Sequence, residues 1–117
     1  MMNSNGGCAR ARRPLALDEI ANFLGNAAAH AALLPDSLSA QKEVRLYSSE
    51  AEETFLSKNW NEEEIKYLRN KALLRTRNEI RNRIKRYGFD EKDYEKFANI
   101  AEQYINQFIE RGVKQTP

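Results

Sequence analysis

The chain is short of the residues that most often carry chemistry: it has one cysteine and one histidine in 117 residues. With Cys8 alone, no intrachain disulfide can form. No histidine lies near it, which argues against a thiolate metal site and against a secreted disulfide scaffold. With His30 alone, no Ser/His/Asp set stands out, and a clustered-histidine metal centre cannot be assembled. On its alanine-rich segment His30 reads as a flanking or half-buried residue rather than a catalyst. The acids Glu50, Glu52 and Glu53 read as a solvated helix face rather than a hard-cation site. No glycine-rich loop for phosphate is present. No apolar run approaches the roughly 20 residues that a bilayer span needs. The stretch MMNSNGGCARARRP has arginines but no apolar segment behind them, so it does not read as a signal peptide. The expectation is a cytoplasmic protein that is not an enzyme and has no metal or cofactor.

Strand alternation is also missing, whereas helical periodicity is present throughout. Residues 1–14, with Arg10, Arg12 and Arg13, are polar and read as a flexible basic arm. A first helix is expected from about Asp18, with Ile20, Phe23, Leu24, Ala27, Ala31 and Leu34 on one stripe and Asn22, Asn26 and His30 along its flank. Pro35 ends it. A second helix begins between Ser37 and Ser39 and carries Ala40, Val44, Tyr47, Ala51 and Phe55. The third has the clearest start: Asn61 as cap, Glu64 three residues on, and Trp60 and Ile65 as a staple. It runs over about 62–87, to Gly88. The fourth follows Asp90, with Tyr94, Phe97, Ala101, Tyr104 and Phe108, and ends at Gly112. These signals predict an all-α fold, a small four-helix up-down bundle in one domain over residues 15–112, followed by a tail over 113–117.

The charge is unevenly placed. The net +2 divides into +3 for residues 1–17, −7 for 18–65, +8 for 66–87 and −2 for 88–117. On a helical wheel at about 100° per residue, Leu68, Ala72, Leu73, Thr76, Ile80, Ile84 and Tyr87 of the third helix share one apolar arc. Arg77, Arg81 and Lys85 form one i, i+4 ladder on the opposite side. Lys71, Arg75 and Arg86 form a second ladder, with Asn78 and Asn82 between the two. Arg69 and Arg83 fall within the apolar arc, where they need an acid partner or must extend to solvent. Leu74 projects from the basic arc and has no core to join, which suggests contact with a partner. Tyr67 stands on the exposed side, where it has the chemistry to stack on a base.

Guanidinium forks match phosphate geometry, and asparagine donates to phosphate or base edges. The expectation is therefore a nucleic-acid-binding protein that contacts the backbone through Lys71, Arg75, Arg77, Arg81, Arg83, Lys85 and Arg86, aided by the basic arm. A place as a small subunit of a larger nucleoprotein complex fits this expectation. The rival expectation is a protein-interaction module or homo-oligomer, in which the basic face meets acidic helix two of another copy or of a partner. No membrane partner is expected. At the level of architecture, the chain is similar to the small helical subunits of CRISPR effector complexes, whose basic surfaces lie along nucleic acid. It is also similar to the HEPN helical ribonucleases. Their signature, an arginine four to six residues before a histidine, is not met at His30, so this likeness implies no nuclease activity.

Overall fold

A computed structural model describes residues 17–56 and 59–115, with side chains up to Val113. The arm residues Arg10, Arg12 and Arg13 lie outside the described residues. Among the described residues there are four helices: α1 (Leu17–Leu33), α2 (Leu38–Leu56), α3 (Glu62–Arg83) and α4 (Tyr94–Gln115). A single 3-10 turn, Glu91–Asp93, leads into α4. Among the described residues there is no strand, and no helix is long and apolar enough to cross a membrane. The expected all-α bundle is the observed one.

The local signals explain most of the boundaries. Asn61 Oδ1 accepts from Glu64 N at 2.8 Å, and Asn61 N donates to Glu64 Oε1 at 3.0 Å, closing the capping box that starts α3. Regular α-helix stops at Arg83, and the chain turns once more to Gly88, whose φ of 81° only glycine adopts without strain. There Gly88 N donates to Lys85 O and Phe89 N to Ile84 O, the paired bonds of a Schellman end. Ser37 Oγ accepts from Ala40 N to cap α2, and Asp90 caps the turn before α4. Several boundaries differ from the sequence expectation: regular α3 ends at Arg83 and not at about 87, and α4 begins at Tyr94, after the 3-10 turn. Helix α1 already includes Leu17, and α4 passes through Gly112 to Gln115. Gly112 does not stop the helix. It is buried beneath the ring of Phe55, which occupies the space a β-carbon would need.

Helix α1 is the hub. It packs against the other three helices, whereas α2 and α3 do not meet. Its small residues allow this: Ala21, Gly25, Ala27, Ala28, Ala29 and Ala32 are all buried, alongside Ile20, Leu24 and Leu33. At Gly25 it comes close to α3, where the Thr76 hydroxyl donates to the Gly25 carbonyl at 2.6 Å. Tyr67 bonds Asp18, Thr76 bonds Gly25 and Arg83 bonds His30, so residue numbers rise together and α1 and α3 run parallel. Helix α2 runs the other way, with Tyr47 stacked on Phe23 and Glu43 beside His30. Aromatic side chains close the remaining core. Phe55 lies between Trp60 and Phe108, and Phe89 packs on Phe97.

A β-carbon at Gly25 would lie 2.7 Å from Arg75 Cβ and 2.9 Å from the Ala72 carbonyl. Replacing glycine by alanine inside a helix usually gains up to about 1 kcal/mol, but overpacking here costs roughly 1–3 kcal/mol. Gly25→Ala is therefore expected to lower the urea midpoint despite its better helix propensity. An unchanged or raised midpoint would show that the α1–α3 contact is looser than described.

Candidate nucleic-acid interface

The one acid in the basic segment decides how its arginines are used. Glu79 is buried, 9 % exposed, on the α1 side of α3. It stands four residues after Arg75 and four before Arg83, and one turn of helix brings both guanidinium groups to its carboxylate. Arg83 Nη2 lies 2.8 Å from Glu79 Oε1, and Arg75 Nη2 lies 3.3 Å from Oε2. Arg83 also donates to His30 Nε2 and to the Tyr87 hydroxyl. Burial opposes the charge on Arg83, but the Tyr87 hydroxyl and the Glu79 carboxylate outweigh that cost and raise its pKa above the ordinary arginine value. Arg83 was expected to contact nucleic acid. It is instead turned inward and committed to the fold, as a cation within the apolar arc must be. Arg75 is shared, with its headgroup paired while its side chain remains 42 % exposed.

His30 completes this internal network. It is buried, its Nε2 accepts from Arg83, and its Nδ1 lies 2.8 Å from Glu43 Oε2 on α2. That last contact has the distance of an ion pair without hydrogen-bond alignment. The ring therefore links three helices. Burial lowers its pKa below 6.5 and Arg83 lowers it further, against the opposing pull of Glu43 and Glu79. This role was not anticipated from the sequence. The available signal was the Arg75, Glu79, Arg83 spacing on the core side of the wheel, which is that of an internally satisfied triplet.

The other cations of α3 face solvent. Lys71, Arg77, Arg81, Lys85 and Arg86 are exposed. Lys85 Nζ pairs with Glu91 at 3.0 Å yet remains 75 % exposed. Arg81 lies over the Tyr94 ring at 5.3 Å, and Lys71 over the Tyr67 ring at 5.7 Å. Among the described residues, Lys71, Arg77, Arg81 and Arg86 have no carboxylate partner. Asn78 and Asn82 are exposed between the ladders, and Leu74 stands 57 % exposed beside them. Arg69, the other cation of the apolar arc, donates to Asn106 on α4 at 3.1 Å.

Tyr67 differs from its expected role. Its hydroxyl donates to Asp18 at 2.6 Å, which raises its pKa, and Lys71 sits over its ring. It braces α3 against α1 and is not a free stacking platform. No group of His, Cys, Asp or Glu among the described residues is arranged to hold a metal ion. No protein-family model, curated protein or solved structure matches the chain.

The pH dependence of stability follows from His30. Its folded pKa lies below the unfolded value of 6.5, so below that pH the unfolded chain takes up a proton that the folded chain resists. Stability is then full above about pH 6.5 and falls as the pH drops through that value toward the lowered folded pKa. Carboxylates contribute below that range, so the comparison is with His30→Gln. Between pH 7.5 and 5.5, urea midpoints of the wild type are expected to fall more steeply than those of the variant. Parallel slopes would contradict the neutral, buried imidazole.

Proposed function

We propose that the protein is a non-enzymatic nucleic-acid binder that contacts the phosphate backbone through the outer face of α3. One observation carries this reading: Arg77 and Arg81 are exposed on the outer face of α3 with no carboxylate against them among the described residues, and Lys85 stands exposed in line with them. Internal pairing takes Arg75 and Arg83, and the contacts of the outer cations still leave them exposed: Arg81 meets Tyr94, Lys71 the Tyr67 ring and Lys85 the Glu91 carboxylate. Arg77, Arg81 and Lys85 recur every four residues, which sets them about 6 Å apart along the helix. That spacing suits successive phosphates of one strand. Asparagines beside them supply neutral donors, and guanidinium forks supply paired ones. Leu74 in the same arc fits a sugar, a base or a neighbouring subunit, in keeping with membership of a larger complex.

The reading gives position-specific expectations. In fluorescence anisotropy with labelled single- and double-stranded oligonucleotides, the protein binds at low salt, and affinity falls as salt rises. Arg77→Gln/Arg81→Gln weakens binding by about tenfold or more and reduces the slope of log K against log salt by about two, one for each lost phosphate contact. Arg83→Gln, read at a temperature where it is folded, leaves that slope unchanged. A dissociation constant weaker than about 10⁻⁴ M at low salt would remove the proposal, because non-specific binders reach roughly 10⁻⁴–10⁻⁶ M.

A further inference from the structure

The contacts of α1 define a second surface, distinct from the outer ladder of α3. Helix α2 reaches α1 through Glu43 and Tyr47 and reaches α4 through Ser48 and Phe55. Helix α3 reaches α1 through Thr76 and Arg83 and reaches α4 through Arg69 and Arg81. The side of the molecule away from α4 is therefore a shallow trough. Its floor is the first half of α1, with Asn22 exposed and Asn26 half-buried, while Ala29 and Leu33 further along the same face are covered. One wall is the α2 edge that continues from Glu43 at helical spacing: Leu46, Glu50 and Glu53, all exposed. The other is the α3 edge that continues from Arg75: Lys71, Asn78, Asn82 and Arg86, also exposed.

One wall is acidic and the other basic, and they do not neutralise each other. Helices α2 and α3 make no direct contact, and Glu50, Glu53, Lys71 and Arg86 have no salt-bridge partner among the described residues. The two walls are also in register. His30 sets Glu43 level with Arg83, and α2 and α3 run in opposite directions. Counting along each helix at about 1.5 Å per residue, Glu50 stands level with Arg75 and Glu53 near Lys71, while Arg86 lies within a turn of Glu43.

We propose that this trough is the interface of a twofold-symmetric homodimer. A second copy turned about an axis parallel to the helices brings its acidic α2 wall over the basic α3 wall, and the reverse occurs at the same time. Levels along the helices are preserved, so each carboxylate arrives beside a cation. The operation closes on itself, as an isologous interface must. Complementary charge sets register and partner choice. Leu46, 58 % exposed within the acidic wall, supplies apolar area that no contact in the single chain uses. The ladder of Arg77, Arg81 and Lys85 lies off the trough and stays open, so the inference does not depend on nucleic-acid binding.

The test is a charge swap read by sedimentation velocity on full-length protein freed of nucleic acid. At low salt and about 0.1 mM, wild-type protein is expected to sediment as a dimer of the 13.5 kDa chain and to dissociate as salt rises. Glu50→Lys/Glu53→Lys and Lys71→Glu/Arg86→Glu are each expected to weaken self-association by about tenfold or more. Mixing the two variants should restore a one-to-one dimer, because one of its two wall pairs is then wild type throughout and Glu53→Lys faces Lys71→Glu in the other. All these residues are exposed, so circular dichroism should show both variants folded. Leu46→Ser removes the apolar area without adding charge and should also yield monomer. A wild-type monomer at that concentration, or a dimer indifferent to Leu46→Ser or to the swaps, would overturn the proposal.

Discussion

The surface of this protein depends on one buried carboxylate. Glu79 sits on the inner side of α3 as the lone acid of residues 66–87, and its two oxygens hold Arg75 and Arg83. A buried carboxylate is costly unless paired, and so is a guanidinium within an apolar arc. Each resolves the other's cost. Arg83 then carries the network to His30, and His30 to Glu43, so that a chain of polar contacts links α3, α1 and α2 where the two outer helices do not touch. The cations beyond reach of Glu79 are left outside.

Small residues on α1 make this arrangement possible. Gly25 lets the backbone of α1 approach Ala72 and Arg75 of α3 and accept from the Thr76 hydroxyl. That approach fixes the parallel register of the two helices, which in turn places His30 opposite Arg83 and Asp18 opposite Tyr67. A hub helix of alanines has little surface of its own to present. The flanking helices therefore present theirs: acids along one edge of α2, and bases over two faces of α3. Both proposed binding surfaces follow from that geometry, one on the outer ladder and one across the trough.

Much of the fold could be read from residue order, because its signals are local. The capping box at Asn61 and Glu64, the glycine turn at Gly88 and the turn at Pro35 each depend on neighbours a few residues away. Long-range packing was not readable in the same way. Gly112 resembles a helix stop in sequence, and only the placement of Phe55 against it shows a packing role within a continuing helix. The candidate surface was partly legible. Exposure of Arg77, Arg81 and Arg86 follows from the wheel, and so does the need of Arg83 for an acid. That the acid is Glu79, and that His30 joins the pair, depends on which face of α1 meets α3, and no pattern within one helix encodes that. Tyr67 illustrates the same limit, since its partner Asp18 lies 49 positions away.

The division of arginines between inside and outside can be measured directly. Arginine Nε–Hε resonances, followed by heteronuclear NMR while a short oligonucleotide is added, report each guanidinium separately. The account predicts that the signals of Arg77 and Arg81 shift together with the added strand, while that of Arg83 stays in place, held by Glu79 and His30. A shift of Arg83 in step with the others, or no movement of the outer two, would contradict it.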